Sequence, residues 1–297
     1  MIRPTTSPQE KRLTLKSRLK DSTILKLAGA YSPLVAMLLT DIGFDGVYIS
    51  GATLANDLGF PDIGLTTLTE VTERSRAISR VTKLPSIVDI DTGFGESINV
   101  ARSIREMEDA GLSGCHIEDQ QMPKRCGHLD HKVLIEPKQM IHKLQSALKA
   151  RRDANFLIIA RCDARSVEGL DAALDRAKAY ADSGADMIFP EALKDEGEFE
   201  RFRKEIKVPL LANMTEFGKS KLLTANELQS LGYDMVIYPV TAMRLALKAV
   251  KSGMSAILAE GGQANHLDSM LTREELYELL GYRDYSQFDK DIYNFDL

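Results

Sequence analysis

Short apolar runs alternate with amphipathic segments of helical length from about residue 25 to residue 255. That βαβα alternation predicts a parallel sheet covered by helices. The strand candidates are 25–31 (LKLAGAY), 46–50 (GVYIS), 86–90 (SIVDI), 113–118 (SGCHIE), 156–161 (FLIIAR), 186–190 (DMIFP), 208–213 (VPLLAN) and 234–238 (DMVIY). Between them lie segments such as 97–110, where Ser97 can cap the helix and Gly111 can end it. Eight such units favour closure into a (β/α)8 barrel, with an open doubly wound sheet as the alternative. Residues 1–24 read as an N-terminal helical segment. After residue 255 the pattern changes: 256–271 reads as loop and 272–281 (TREELYELLG) as a capped helix. Residues 256–297 are therefore expected to form a helical appendage that packs on the barrel or on another subunit, within one domain spanning 1–297.

Composition narrows the functional classes. Of 297 residues, 44% are hydrophobic and 27% charged, which supplies a large core and argues against disorder away from the ends. The net charge is −5 with basic and acidic residues interspersed, so there is no electrostatic footprint for nucleic acid. No apolar stretch is long enough to span a bilayer, and the first residues lack a secretory pattern. Cys115, Cys126 and Cys162 are too few and too irregular for a disulfide framework, which fits the reducing cytoplasm.

Catalytic groups of a parallel barrel sit where the strands end, because the loops there converge on one mouth. The strand ends carry Ser50, Asp89 and Asp91, Glu118 and Asp119, Arg161 and Asp163, Glu191, Asn213 and Glu216, and Tyr238. Strand ends are often polar because they meet water, so the set informs more than any member. Several carboxylates facing one mouth would repel unless a cation neutralised them. With oxygen ligands and no His or Cys cluster beside them, Mg²⁺ or Mn²⁺ is favoured over Zn²⁺. Asp89 and Asp91, two apart in VDIDTGFG, would point to the same side of an extended chain. The adjoining GFGES resembles a phosphate-binding glycine loop but lacks its third Gly and any GK[ST].

The sharpest local signal follows the fourth strand, in IEDQQMPKRCGHLDHK. Lys124 and Arg125 would lower the pKa of the Cys126 thiol, and Gly127 would let the backbone approach a ligand. The alternatives are an incidental surface cysteine, or zinc held by Cys115, His116, Cys126 and His128. The spacing fits no common zinc pattern, and Cys115 alternates into a buried strand. Cys162 reads as a packed small residue.

Lys124-Arg125-Cys126-Gly127-His128 matches the K-[KR]-C-G-H signature of the isocitrate lyase superfamily. The resemblance covers almost the whole chain, through YISGA (48–52), GFPDIG (59–64), VDIDTGFG (88–95), HIEDQ (116–120), FPEA (189–192), NMTEFG (213–218), YPVTAMR (238–244) and TREELYE (272–278). It implies a (β/α)8 barrel, usually a homotetramer, with the last helix exchanged between subunits. It implies Mg²⁺ on Asp89 and Asp91, with Asp62 and Glu118 as outer ligands through water. It implies that Ser50, Gly51, Ala52, Cys126, Gly127, His128, Arg161, Glu191, Asn213, Thr215, Arg244 and Arg273 bind a small polycarboxylate. Ala52 departs from the Gly common in the methylisocitrate-cleaving branch of the superfamily, and its methyl could crowd the substrate.

The chemistry implied is a retro-aldol cleavage of 2-methylisocitrate to pyruvate and succinate, in propionate catabolism through the methylcitrate cycle. A base, assigned to Tyr48, takes the proton of the hydroxyl that the metal acidifies. Cys126 protonates the succinate carbanion, His128 belongs to the same catalytic loop, and Arg161 offsets the developing charge. A phenol base needs a lowered pKa, and the 118–130 loop is expected to act as a mobile lid. Isocitrate cleavage, oxaloacetate decarboxylation and phosphonopyruvate-type reactions remain as alternatives within the superfamily. So does a catalytically silent barrel, against which the intact set of residues speaks.

Overall fold

The computed structural model describes residues 6–293. In chain order the elements are α1 (Pro8–Arg18), β1 (Leu25–Gly29), α2 (Pro33–Ile42), β2 (Gly46–Ile49), α3 (Gly51–Asp57), α4 (Leu68–Ser79), β3 (Ser86–Asp89), α5 (Ser97–Asp109), β4 (Gly114–Glu118) and α6 (Pro137–Ala150). They continue as β5 (Leu157–Cys162), α7 (Leu170–Asp182), β6 (Met187–Pro190), α8 (Glu196–Glu205), β7 (Leu211–Asn213), α9 (Ala225–Ser230), β8 (Met235–Tyr238), α10 (Thr241–Glu260), α11 (Arg273–Leu280) and α12 (Tyr282–Tyr293). The strands are parallel and run β6-β5-β4-β3-β2-β1-β8-β7, each beside its neighbour in sequence. The two ends of that order meet through the parallel bridge between Ile188 and Leu210, which makes the sheet a nearly closed (β/α)8 barrel. All eight strand candidates lie where the sequence places them.

Apart from the exposed Lys26 at the start of β1, the strands are buried on both faces, which is why they read as apolar runs and not as alternations. Leu27, Tyr48, Ile87, Ile159, Phe189 and Ile237 pack inside the barrel. Their neighbours Val47, Ile49, Val88, Ile158, Ala160, Ile188 and Val236 pack outward under the helices. The same parity sends Cys115 and Cys162 outward into that second cluster, as expected, and separates Cys115 from the mouth. Helix α1, capped by Ser7 and Glu10, closes the end where the strands begin, with Leu15 inside the barrel cluster.

Local expectations shift at two places. Helix α5 begins at residue 97, but its cap is Glu96, whose N–H donates to Asn99 Oδ1 at 3.1 Å. Residues 256–260 are not loop but the last turn of α10, which runs on to a left-handed Gly261. Beyond it a 3-10 turn spans Ala264–Ser269, and α11 starts from the expected Thr272 cap with its capping box to Glu275. Helix α12, which the sequence reading leaves unassigned, stacks Tyr282 on Tyr277 of α11 with ring centroids 4.8 Å apart. Among the described residues no helix is long and apolar enough to cross a membrane.

Candidate active site

At the end of the barrel where the strands finish, charge is buried densely. Asp89, Asp91, Glu118, Asp119, Lys124, Arg161, Asp163 and Glu191 are all buried. Strand β3 ends at Asp89, and Asp91 already adopts a left-handed conformation with φ of 47°. The two aspartates therefore do not share one side of an extended chain. A turn unites them instead: Asp91 N–H donates to Asp89 Oδ1 at 3.0 Å, and both carboxylates lie against Gly51. A Cβ on residue 51 would stand 3.0 Å from Asp89 Oδ2 and 3.2 Å from Asp91 Oδ1. Burial and the nearby Asp89 and Asp62 push Asp91 up to about 6 although Lys124 opposes them, whereas the charges of Lys124 and Arg161 and the backbone N–H of Asp91 help hold Asp89 low against burial.

Lys124 is the cation of this cluster. Its ammonium pairs with Asp62 and, at 2.7 Å, with Asp91 Oδ1. It is therefore turned toward the carboxylates and away from the role of activating the thiol. Burial comes first for Cys126 and raises its pKa, despite the backbone N–H of His128 directed at the sulfur and the charge of Arg161. The expected lowering is thus reversed, because desolvation outweighs the flanking cations. The result is a thiol that holds its proton.

Arg161 lies in the midst of the acids. It donates to Asp163 through Nε at 3.0 Å and through Nη2 at 3.2 Å, and lies 3.3 Å from Glu118 and 3.4 Å from Glu191. Its guanidinium also covers the Phe189 ring at 5.3 Å. His128 receives the Lys219 backbone N–H on Nδ1 at 2.9 Å, so Nε2 carries the proton of the neutral ring and meets Glu191 Oε1 at 3.0 Å. Asn213 Nδ2 donates to both Glu191 oxygens at 3.3 Å. The cysteine loop approaches so closely that a Cβ on Gly127 would lie 2.4 Å from Arg161 Nη2 and 2.5 Å from Glu191 Cγ. Only glycine admits that approach.

Tyr48 points into the barrel with its hydroxyl 2.6 Å from His116 Nε2, the rings stacked at 5.8 Å. Burial, then Asp89, raise its pKa well above the ordinary value, the reverse of what a free phenolate base requires. Burial lowers His116 to about 4, so this imidazole is neutral.

Within one chain the structure brings together Tyr48, Gly51, Asp62, Asp89, Asp91, Glu118, Cys126, Gly127, His128, Arg161, Glu191 and Asn213, with Ser50 and Ala52 flanking Gly51 in the chain. Thr215 and Arg244 sit beside them at the rim, 3.4 Å apart, with Arg244 bonded to the Glu216 carbonyl and carboxylate at 2.7 Å each. Arg273 does not join them: it is exposed on α11, which lies against α2 on the outside of the barrel. Several contributors are not assigned a site role by the sequence. Gln120 clamps residue 125 by accepting from its N–H and donating to its carbonyl, both at 2.9 Å. His116 and Lys219 likewise become visible only when strands and loops are assembled.

The donor set fits a hard cation. Glu118 accepts no hydrogen bond at either buried oxygen, and Asn213 Oδ1 also lacks a partner. Buried polar atoms in that state call for a ligand. Among the described residues no three His, Cys, Asp or Glu side chains close around one point. Mg²⁺ keeps several waters and needs only one or two protein carboxylates, and Asp89 and Asp91 together offer two.

The sequence profile of the phosphoenolpyruvate phosphomutase family matches residues 15–258. A probable 2-methylisocitrate lyase from Corynebacterium glutamicum is 52% identical over 97% of this chain and 94% of its own length. A 2-methylisocitrate lyase from Aeropyrum pernix is 48% identical over 94% of this chain and 90% of its own. A solved phosphonopyruvate hydrolase, in complex with oxalate and Mg²⁺, superposes with a TM-score of 0.86 at 30% identity, covering 94% of this chain and 98% of the other.

Proposed function

The chain belongs to the phosphoenolpyruvate phosphomutase family, and from that premise we propose that it is a carbon–carbon lyase that cleaves 2-methylisocitrate to pyruvate and succinate. The observation that carries this reading is the Cys126 loop closed over the strand ends, with Gly127 against Arg161 and Glu191. Such a loop puts a proton donor beside buried charges of both signs, as a reaction passing through a carbanion requires. Relatives named for this activity extend over almost the same length.

In this reading Asp89 and Asp91 hold Mg²⁺ or Mn²⁺, with Asp62 and Glu118 acting through water. The ion, when bound, would acidify the substrate hydroxyl and offset the carboxylate charge. Ser50, Gly51, Ala52, Asn213, Thr215 and Arg244 surround the polycarboxylate, while Arg161 and the His128–Glu191 pair meet charge that grows on the departing succinate. Tyr48 takes the hydroxyl proton as its own phenolic proton passes to the neutral Nε2 of His116, 2.6 Å away. The C2–C3 bond breaks, its electron pair stays on the succinate fragment, and the Cys126 thiol protonates that carbon. The raised pKa of the buried thiol keeps it in the acid form until then.

The reading extends to assembly. Helix α10 exposes Leu245, Leu247, Val250, Met254 and Leu258, the last 87% accessible, and the segment behind it adds Leu267, Leu271 and Tyr282. A face of that size on one helical appendage fits burial against further copies, as a homotetramer that exchanges its C-terminal helices and brings Arg273 to a neighbour's mouth. Three free thiols suit the cytoplasm and a place in propionate catabolism through the methylcitrate cycle.

The test is steady-state cleavage of 2-methylisocitrate against isocitrate by the purified protein with Mg²⁺, identifying the keto product. Pyruvate with a clear preference for the methylated substrate is expected. Preferential release of glyoxylate would assign isocitrate cleavage, and turnover of neither would return the decarboxylase, phosphonopyruvate and silent-barrel readings.

A further inference from the structure

The cysteine loop is an excursion with a pinned base and a reaching tip. Gln120 pairs with Leu134 in an antiparallel bridge, and Gln121 N–H donates to Val133 O at 2.8 Å, so the two strands of the base are tied to each other. The tip must be held by other means. On its outer edge Lys219 serves, through its backbone N–H on His128 and its ammonium on Asp130. Underneath, Lys124 is held by Asp62 and Asp91 and His128 by Glu191, and directly behind the thiol the contact is Lys132.

Lys132 is a lysine whose side chain is 1% exposed. Its ammonium donates to the carbonyl of Gly127, the residue after the thiol, and to Asp163 Oδ1 at 2.8 Å. Asp163 is anchored to the barrel from several sides. Its N–H donates to Asp119 Oδ1 at 2.8 Å, and Asp119 Oδ2 accepts from Tyr180 Oη on α7 at 2.8 Å. Asp163 also receives Nε and Nη2 of Arg161. One carboxylate therefore joins the loop cation to the arginine of the mouth. A buried ion pair seldom adds net stability over apolar packing, so the observation points to placement and not to holding the barrel together.

We infer that Lys132 is a positioning residue: through Gly127 it latches the Cys126 loop in its closed place over the mouth, and through Asp163 it sets the orientation of Arg161 at the same moment. Closing the loop and presenting the arginine become a single event, because the two share one carboxylate. When Lys132 withdraws, Gly127 O loses its donor, and Asp163 keeps only Arg161 as a cation. The arginine is then drawn further onto Asp163 and away from Glu118 and Glu191. The consequence for turnover rests on the lyase reading above, whereas the consequence for the loop does not.

The experiment replaces Lys132→Met in the full chain, keeping the apolar stem and removing the ammonium. The first readout is the rate at which iodoacetamide alkylates Cys126, located by peptide mass mapping, since Cys115 and Cys162 are buried and free. Loss of a charged hydrogen bond at the tip is expected to speed alkylation about 10- to 100-fold. The second is the split of kcat and KM on 2-methylisocitrate, with kcat expected to fall at least about tenfold and Lys132→Arg to recover part of the loss. A fall in Tm with unchanged alkylation would make Lys132 structural and overturn the latch. Faster alkylation in a protein that never cleaves 2-methylisocitrate would keep the latch and sink the lyase reading instead. Should Lys132→Met not fold, Lys132→Gln carries the same alkylation test, and an unchanged rate there overturns the proposal equally.

Discussion

Where the strands begin, helix α1 buries two cations, and both are met mainly by backbone carbonyls. Lys11 donates to Ser79 O at 2.7 Å, and Arg12 donates to Glu108 O at 2.7 Å and Leu112 O at 2.8 Å, with Asp153 beside it at 3.2 Å. Where the strands finish, Lys124, Lys132 and Arg161 are met by carboxylates, and Glu118, paired with Arg161 at 3.3 Å, and Asn213 keep buried oxygens that accept no hydrogen bond. The first arrangement meets its cations mainly with neutral carbonyls and closes the core. The second packs charges of both signs together with carboxylate and amide oxygens that accept no hydrogen bond, and a ligand can supply those oxygens with partners. In a barrel of this kind, stability is built at one end and chemistry at the other.

The comparison is broken most directly at the finishing end. Cys126→Ser should lower turnover by about 10²–10⁴-fold, since a hydroxyl is a far weaker acid, while thermal unfolding and Mg²⁺ binding stay as they are. Wild-type turnover by that variant would remove the thiol from the mechanism. At the beginning end the sign reverses: Leu15→Ala should cost about 2–5 kcal/mol in urea unfolding, as the barrel plug loses its buried side chain, and leave kcat/KM of the folded protein unchanged. Loss of catalysis per folded molecule would show that the two ends are coupled.

A smaller effect sharpens the electrostatic half of the comparison. Asp89→Asn should raise the Mg²⁺ concentration for half-maximal activity by about 10- to 100-fold, and activity that persists in excess EDTA would remove the metal from the reading. The smallest effect concerns Lys11, which burial lowers to about 8 from its usual 10.5. The folded chain gives up this proton before the unfolded chain does, so the cost of burying the charge is present below about pH 8 and disappears as pH rises above it. Stability relative to Lys11→Met should therefore climb between pH 8 and pH 10 in urea titrations; a flat difference would contradict the shift.

Much of the barrel was legible because its strands, buried on both faces, stand out as uninterrupted apolar runs, and their polar ends mark the mouth. Gly127 was legible as a point of close approach. Other features were not. The last turn of α10 and the whole of α12 carry large apolar residues that one chain leaves exposed, so their pattern is not that of a helix on a core. Arg273 stands apart for the same reason. His116, Gln120 and Lys132 lie in segments that the sequence marks, yet their partners come from other strands and loops and define their roles only in the fold.

The sequence by itself determined the parallel eight-strand alternation, the carboxylates at its ends and the cysteine between a cation pair and a glycine, since these depend on residue type, order and local periodicity. Tertiary structure alone decided which way the charges act. Lys124 turned to Asp62 and Asp91 instead of the thiol, Asp91 joined Asp89 through a left-handed turn, and burial raised Cys126 and Tyr48 when flanking charges or a metal argued for lowering them. Desolvation and the choice among several partners are properties of three-dimensional neighbours, and for a buried ionisable group they outweigh the neighbours in sequence.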